Sequence, residues 1–360
     1  MVVVGGPACC EYELFHDHKV DIVCHGEGGL VVGEIVDYCL GDMALESIRG
    51  ISYLKDGRIV KNRERPPIED LDSLPFPLFD KVDMNAYYDY HIFGMERPFF
   101  TLIASRGCPN RCTYCSSHNF WKNRYRLRSA KNVVDEIELL VTRYGLRYLA
   151  FNDDLFGCRT DWLYEFINEF KAREIRVKFY CMLSPSSLKR DRWYLLSLLR
   201  SIGLDIVVTG LQSVDPRVLR NIKRRPNDPE ELAQLIQTAK LLNVTTAIHF
   251  IYGLPGDSAE VFRKNLDYAL TVRPHYALFY MLGKMPGSEI CDKYGDGAAT
   301  DMSDATIKKW VNSSQARFFR DPRIVAQNLL HILRKRPSWF WFGLRNIFHF
   351  SQSALKPYLD

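Results

Sequence analysis

Three cysteines stand close together in the string SRGCPNRCTYCSS, which follows an apolar run, PFFTLIAS, that predicts a strand. Cys108, Cys112 and Cys115 have the spacing C-x3-C-x2-C. Three thiolates this close in sequence can hold three corners of an iron–sulfur cube, which leaves the fourth iron without a protein ligand. An open iron is a reaction site, whereas a fully ligated cluster only carries electrons. The spacing therefore predicts a cluster that takes part in chemistry.

A zinc site is the main alternative for the same cysteines. His118 follows Cys115 by three positions, so it could complete a Cys3His tetrahedron with the three thiolates. Structural zinc knuckles usually staple small modules, whereas this motif follows a predicted buried strand in a large chain. The iron–sulfur interpretation is favoured, and a non-catalytic iron–sulfur or zinc-binding protein stays open as an alternative.

Composition limits the classes of protein to consider. The chain has 360 residues, of which 47% are hydrophobic, so it can bury one large domain core with appendages. The net charge of +5 is small, and no dense run of lysine and arginine predicts nucleic-acid binding. The cysteines lack the spacings of secreted domains, and neither a signal peptide nor an apolar run of about 18 residues is visible. We therefore expect a cytoplasmic protein.

A regular repeat begins near Phe99. Apolar, β-branched or aromatic runs alternate with helical patterns, and strands are predicted to start at about residues 98, 147, 176, 204, 244 and 275. Strand–helix units of roughly 30 residues indicate parallel strands with right-handed crossovers. Six such units predict an α/β fold over 98–295, a partial (βα)6 TIM-like barrel. In such barrels the chemistry lies at the carboxyl ends of the strands.

The segment before the barrel has a different pattern. MVVVGGP and VDIVCHGEGG predict two parallel-type strands, 31–40 predicts a helix, and a hairpin is expected with its turn at Asp56 and Gly57. Two parallel strands do not make a stable sheet, so residues 1–61 indicate part of a doubly wound, flavodoxin-like domain. The proline-rich segment 62–97 is interpreted as an ordered linker.

The segment after the barrel, 296–360, predicts a helical extension. Its end, RKRPSWFWFGLRNIFHF, is basic and aromatic. Such a helix can lie in a membrane surface, or it can pack on the barrel or on a partner. Both interpretations stay open.

The cysteine triplet, its place after the first barrel strand and the six-unit repeat together resemble the radical S-adenosylmethionine (SAM) superfamily. VVVGGP, DIVCHGEGG and PPIEDLDSLPFP resemble the subfamily with a cobalamin-binding domain ahead of the barrel. The resemblance implies that three thiolates hold a 4Fe-4S cluster and that SAM chelates its open iron. It implies reductive cleavage of SAM to a 5′-deoxyadenosyl radical, an electron donor such as flavodoxin or ferredoxin, and an unidentified small-molecule substrate.

The resemblance also implies SAM contacts at the ends of the early strands. The loop FNDDLFG matches the region that contacts the SAM amino group, so Asn152, Asp153 and Asp154 are the corresponding polar residues. The alternative is that one of these acids caps the following helix. Tyr114 would shield the cluster and pack near the adenine. Arg106 and Arg111 would flank the site, where they could tune the cluster potential or steady the SAM carboxylate, and the alternative is that both are solvated loop arginines.

Later strand ends supply the other implied contacts. GLQSVDP follows the fourth strand and places Gln212 and Ser213 where the superfamily binds the ribose, although Gln212 replaces the more common glutamate. IYGLPGD follows the fifth strand and matches the adenine-side turn, with Gly253, Pro255 and Gly256 as the corresponding residues. Glycines there let the backbone approach a flat ring.

Radical methyl transfer or a related C–H functionalisation is the predicted reaction. Methylthio transfer is the alternative, less favoured because no second cysteine triplet lies near the N-terminus. Cobalamin is a possible cofactor but a doubtful one. Gly5 and Gly6 match the glycines near its nucleotide tail, whereas the early strands and the D-x-H-x-x-G loop are missing. We therefore expect that the chain starts inside this domain and binds cobalamin weakly or not at all.

Overall fold

The computed structural model describes residues 1–6, 19–84, 86–87, 96–188, 192–224, 229–295 and 297–335. These residues form three sheets: a four-stranded sheet in an N-terminal unit, and a six-stranded and a two-stranded sheet in a barrel unit. Cys9, Cys10 and the aromatic end of the predicted helical extension lie outside the described residues.

The N-terminal unit is a four-stranded sheet covered by one long helix. Its elements are β1 (Val3–Val4), β2 (Ile22–Cys24), α1 (Gly28–Leu40), β3 (Ile51–Lys55) and β4 (Arg58–Lys61). β1 and β2 are parallel, whereas β2, β3 and β4 are antiparallel neighbours. The predicted hairpin is present, and both of its turn residues, Asp56 and Gly57, have positive φ angles, as a tight two-residue turn requires.

The barrel unit begins with the strands that frame the cysteines and continues as the predicted repeat. Its elements are β5 (Phe99–Leu102), β6 (Ser105–Arg106), α2 (Ser117–Phe120), β7 (Arg126–Leu127), α3 (Ala130–Tyr144), β8 (Tyr148–Phe151), α4 (Thr160–Ala172), β9 (Lys178–Met182), α5 (Arg192–Ser201), β10 (Leu204–Gln212), α6 (Pro216–Asn221), α7 (Pro229–Leu241), β11 (Thr245–Tyr252), α8 (Ala259–Val272) and β12 (Tyr276–Met281). Three further helices follow, α9 (Glu289–Tyr294), α10 (Asp304–Arg320) and α11 (Pro322–Lys335).

Six of these strands form one parallel sheet in the order β5-β8-β9-β10-β11-β12. Each strand therefore pairs with the next strand of the repeat, as right-handed crossovers require. The observed strand starts lie within two residues of the predicted ones. β5 and β12 are the two edges of the sheet, so the prediction of a partial barrel is confirmed.

Local sequence explains where the helices begin and end. In α3, Ser129 is the N-cap and its side chain accepts a hydrogen bond from the backbone N–H of Asn132, while Gly145 ends the helix in the left-handed region. The buried face of the helix carries Val133, Ile137 and Leu140 at helical spacing. Helices of this kind cover the outer face of the sheet.

The sheet separates two apolar layers because side chains alternate along each strand. On β11, Ile248 and Phe250 join the large core beneath the helices. Ala247 points to the other face, where it packs with Tyr148 and Val208 inside the barrel. The inner layer therefore has small and aromatic side chains around the space that the strands enclose.

The end of α11 packs under the barrel. Lys335 Nζ donates to Asp205 Oδ1 at 2.7 Å and to Thr245 Oγ1 at 2.9 Å. Asp205 and Thr245 lie at the amino-terminal ends of β10 and β11, opposite to the ends where barrel chemistry is expected. Among the described helices, none is long and apolar enough to cross a lipid bilayer.

Candidate functional site

The cysteines lie on a loop, residues 107–125, that leaves β6 and returns at β7. The two strands are antiparallel neighbours, with Ser105 opposite Leu127 and Arg106 opposite Arg126. Gly107 starts the loop with φ +90°, and a Cβ at this position would lie 2.0 Å from the carbonyl oxygen of Arg124. Only glycine fits this close approach. The base of the cysteine loop is therefore closed by backbone geometry.

Backbone hydrogen bonds anchor the middle of the loop to the rest of the barrel unit. Thr113 N donates to the carbonyl oxygen of Ile222 at 3.0 Å, and Ile290 N donates to that of Thr113 at 2.9 Å. Cys112, which precedes Thr113, is buried. The loop is thus fixed between the segments that follow β10 and β12.

Two of the three thiols lie in surroundings that disfavour their thiolate forms. Burial raises the pKa of Cys108, and burial followed by the charges of Asp154, Cys112 and Cys108 raises the pKa of Cys115 to about 11. Iron binding requires thiolates, so metal and proton compete for these two sulfurs. A cluster would supply positive charge beside them, and three cysteines on one short loop are a donor set that fits a 4Fe-4S cluster.

No group of three histidine, cysteine or acidic side chains among the described residues is arranged to hold a single metal ion. A cube differs from a zinc tetrahedron because it spreads its thiolates over three irons. His118 lies on α2, and its Nδ1 atom is buried without a hydrogen-bond partner. This nitrogen is the position to test for a fourth ligand.

Arg224 is a candidate site residue that the sequence did not indicate. Its Nη1 atom lies 3.8 Å from Cys112 Sγ and donates to the hydroxyl oxygen of Tyr114 at 3.1 Å. Its Nη2 atom donates to the carbonyl oxygen of Gly210 on β10. In the sequence Arg224 stands in NIKRRPND, which has the pattern of an exposed basic loop, so no local signal marks it. Arg224 joins a predicted cluster ligand to the sheet.

The two acids after β8 have different surroundings. Asp153 is buried and accepts hydrogen bonds from Ala104 N at 3.1 Å and from the hydroxyl of Ser105. Burial raises its pKa to about 6. Asp154 is exposed and accepts a hydrogen bond from Ser117 Oγ at 2.7 Å, within the cysteine loop. Both acids therefore connect β8 to the cysteine segment, and neither caps α4.

The N-cap of α4 is Arg159, which makes no side-chain capping bond. Asn152 is exposed next to the acids and donates its backbone N–H to the carbonyl oxygen of Leu102. Its side chain, like the carboxylate of Asp154, lies at the carboxyl end of β8. As SAM contacts, these residues stay predictions.

Gln212 ends β10 in an unusual backbone conformation, with φ +68°. Its side chain folds back over Gly210, and its Oε1 atom is buried without a hydrogen-bond partner. A buried polar atom without a partner is costly unless a ligand or water satisfies it. Gln212 therefore suits a polar ligand, and its contact with SAM stays a prediction.

Ser213 has a different environment from its neighbour. It is fully buried, its Oγ atom accepts a hydrogen bond from Asp215 N at 3.2 Å, and it lies 3.5 Å from Asn265 Oδ1 on α8. These contacts hold the segment between β10 and α6. A contact between Ser213 and SAM stays a prediction.

The turn after β11 is stabilised from two sides. Asp257 Oδ2 accepts hydrogen bonds from Gly253 N and Leu254 N, both at 2.9 Å. The carbonyl oxygen of Pro255 accepts from Asn221 Nδ2, also at 2.9 Å, and a Cβ on Gly256 would lie 2.7 Å from the same nitrogen. The predicted adenine-side turn is therefore a rigid piece of backbone.

An apolar cluster brings this turn to the cysteine loop. Tyr114 packs against Leu254, Leu219 and Ile222, among other buried side chains. Burial also raises the pKa of Tyr114, so its hydroxyl stays neutral. The structure thus brings together the cysteine loop, the end of β10 and the turn after β11.

The segment that contains these elements matches a known family. Residues 102–269 fit the model of the Radical SAM superfamily. This segment is a radical SAM domain. The matched segment runs from the end of β5 into α8 and includes the three cysteines. The resemblance inferred from the cysteine spacing and the six-unit repeat is therefore confirmed.

Two curated relatives are similar to most of this chain. An uncharacterized methyltransferase of Pyrococcus horikoshii is 27% identical over 292 residues, which are 80% of this chain and 62% of that protein. The cobalamin-dependent radical SAM methyltransferase TokK of Streptomyces tokunonensis is 26% identical over 304 residues, 81% of this chain and 44% of that protein. The chain spans less than two thirds of either relative.

A solved structure shares the fold. The radical S-adenosylmethionine methyltransferase TsrM from Kitasatospora setae, with cobalamin and a 4Fe-4S cluster bound, has a TM-score of 0.64. The two sequences are 19% identical, and the match covers 80% of this chain and 56% of that chain. Such a likeness shows a shared fold.

Proposed function

We propose that this chain is a radical SAM enzyme that catalyses methyl transfer or a related C–H functionalisation. The observation that carries the proposal is the placement of Cys108, Cys112 and Cys115. All three lie on one loop, which backbone hydrogen bonds from Thr113 and Ile290 fix to the segments that follow β10 and β12 at the carboxyl ends of the barrel sheet. That is the end of a barrel where reactions take place.

The cluster, when bound, supplies an open iron and one electron for the cleavage of SAM to a 5′-deoxyadenosyl radical. The chain's residues hold and shield it. The three cysteines provide its thiolates, Arg224 points a cation at Cys112, and Tyr114 covers the loop on its apolar side. Gln212 offers its unsatisfied amide oxygen to the SAM molecule.

Methyl transfer is proposed because the relatives named above are methyltransferases. The substrate would enter the inner space of the barrel, where Tyr180 and Met182 pack beside Val208. An electron donor such as flavodoxin or ferredoxin would reduce the cluster.

Anaerobic reconstitution of the full chain with iron and sulfide tests the proposal. We expect about four irons and four sulfides per chain, as a 4Fe-4S cluster requires, and 5′-deoxyadenosine after addition of SAM and dithionite. Alanine at Cys108, Cys112 or Cys115 should remove both signals. Cys158→Ala and Cys291→Ala are matched controls, because these thiols are also partly exposed and should leave the cluster unchanged.

Other outcomes would contradict the proposal. One zinc per chain without iron or sulfide would support a zinc-binding module. Loss of the cluster in His118→Ala would indicate a fourth protein ligand and a cluster without an open iron. A methylthio group on the product would favour methylthio transfer, and isotope-labelled SAM distinguishes it from a methyl group.

A further inference from the structure

Glu27 lies in the HGEGG turn between β2 and α1, and the proposed function leaves it without a role. It occupies the N-cap position of α1, yet its side chain makes no capping hydrogen bond. The side chain is only 7% exposed, and its carboxylate reaches the base of the cysteine loop in the barrel unit. A buried carboxylate needs partners, and these lie outside its own helix.

Two arginines bind this carboxylate. Arg106 Nη1 donates to Glu27 Oε2 at 2.9 Å, and Arg126 Nη2 donates to Glu27 Oε1. Ile68 N also donates to Oε2 at 3.2 Å. Both carboxylate oxygens are therefore engaged, each by an arginine from a different strand of the loop base.

The two arginines need an anion because of their register. Arg106 and Arg126 are directly opposite each other in the β6–β7 pair. Like charges at opposed positions destabilise paired strands. Each strand has only two residues, so few backbone hydrogen bonds oppose the repulsion. Arg126 is also 7% exposed, so water screens its charge poorly. The negative charge of Glu27 offsets this repulsion.

The arginine pair also contacts the loop itself. The guanidinium carbons of Arg106 and Arg126 lie 6.0 Å and 5.8 Å from the ring centroid of Trp121. Cation–π attraction at this distance adds to the ion pairs. Trp121 directly follows α2, the short helix that begins two residues after Cys115. Through these two arginines, Glu27 of the N-terminal unit is connected to the segment that carries the cysteines.

We propose that Glu27 is a positioning residue for the cysteine loop. The N-terminal unit supplies a carboxylate that allows β6 and β7 to close the loop base, so that the three thiols are held in place before a cluster binds. This inference rests on the proposed function, because it concerns the loop that would hold the cluster. By this inference, the HGEGG turn of the N-terminal unit supports the cysteine loop of the barrel unit.

Hydrogen exchange of the full apoprotein tests this without any cofactor. Glu27→Gln should speed amide exchange in peptides that cover 107–125 by about tenfold or more, because local opening becomes easier. Peptides that cover β10 and β11 should be unchanged. Glu34→Gln is the matched control, since Glu34 lies on α1 and pairs with Arg65, an arginine outside the cysteine loop and the β6–β7 pair.

A second substitution separates positioning from a general loss of stability. In Glu27→Gln with Arg106→Gln, one of the two opposed charges is gone, so exchange in 107–125 should return toward the wild-type rate. After reconstitution, Glu27→Gln should also lose iron faster than wild type and broaden the electron paramagnetic resonance signal of the reduced cluster. The double variant should restore both properties in part.

The inference is overturned if amides in peptides that cover 107–125 exchange at the same rate in Glu27→Gln and in wild type. It is also overturned if exchange rises equally throughout the barrel, or if Arg106→Gln does not rescue it. These results do not depend on the proposed function. If the wild-type chain binds no iron, the proposed function fails, and the exchange comparison still decides whether Glu27 holds the loop.

Discussion

Arg224 donates a hydrogen bond to the hydroxyl oxygen of Tyr114 at 3.1 Å, although 110 residues separate the two in sequence. The same guanidinium group lies 3.8 Å from Cys112 Sγ. Desolvation opposes its positive charge, but the neighbouring Tyr114 and Cys112 raise the pKa of Arg224. A permanent cation thus stands beside a sulfur that is expected to ligate iron.

Replacing Arg224 should change the reduction potential of the cluster while the protein still folds. Hydrogen bonds to cluster sulfur atoms help to set the reduction potential. Arg224→Met removes a donor from Cys112, so we expect a lower potential in a redox titration followed by electron paramagnetic resonance. The lost charged hydrogen bonds should also cost about 1.5–3 kcal/mol of stability.

Arg217→Met is the control for this experiment. Arg217 lies on the neighbouring helix α6 and is largely exposed in its pair with Asp215, and such pairs contribute little. Equal potentials for Arg224→Met and wild type would remove Arg224 from the cluster environment.

Gln212 should contribute directly to SAM affinity. Gln212→Ala removes one neutral hydrogen-bonding group, so we expect SAM binding weaker by about 1–2 kcal/mol in equilibrium dialysis of the reconstituted protein. Gln237→Ala on α7 is the matched control, because its side chain only contacts the carbonyl oxygen of Val272. An unchanged dissociation constant would exclude Gln212 from the site.

Gly107 should be essential for closing the cysteine loop. In Gly107→Ala the new Cβ would meet the carbonyl oxygen of Arg124 at 2.0 Å, so the loop base has to shift and iron incorporation should fall sharply. Gly145→Ala is the control, since Gly145 also has a positive φ but open space around it. That change should cost about 1 kcal/mol and leave the iron content unchanged. Full iron content in Gly107→Ala would contradict the structure of the loop.

The turn after β11 should lose stability as the pH rises. Burial raises the pKa of Asp257 from 3.8 to about 7, so between these values the folded state binds more protons than the unfolded state. Stability then decreases as the pH increases through this window and levels off above it, by about 1.4 kcal/mol for each pKa unit.

Asp257→Asn removes this titration. Its melting temperature relative to wild type should therefore be higher at pH 8 than at pH 5. Asp267→Asn, an exposed residue on α8, is the control. A difference between Asp257→Asn and wild type that does not change with pH would show that Asp257 titrates normally.

Cobalamin should bind weakly or not at all to this chain. In the described residues the N-terminal sheet has one parallel pair, β1 and β2, whereas doubly wound sheets bind cofactors where two parallel halves meet. Stoichiometric, tight binding in an anaerobic titration with hydroxocobalamin would contradict this expectation.

The sequence predicted the barrel unit well because its signals are local and repeated. Each strand is an apolar run of a few residues, and each helix has a cap and an apolar face, as Ser129 and Val133 show for α3. The cysteine spacing is equally local. These features depend on neighbours in the chain, so they can be recognised without coordinates.

The remaining features of the site depend on contacts between distant segments. Arg224 and Glu27 have no distinctive neighbours in sequence, and their roles follow from the residues that folding brings to them. Asp153 shows the same limit. It was predicted as a SAM contact or a helix cap, yet its carboxylate holds Ala104 and Ser105 at the start of the cysteine segment.

Lys335 holds the end of α11 at one end of the barrel sheet. Its bonds to Asp205 and Thr245 hold the end of α11 at the amino-terminal ends of the strands, while the cysteines lie at the carboxyl ends. The chain therefore leaves the barrel on the side away from the reaction. A partner that contacted the end of α11 at Lys335 would leave the carboxyl ends of the strands uncovered, so its binding would not compete with access to the cysteine loop.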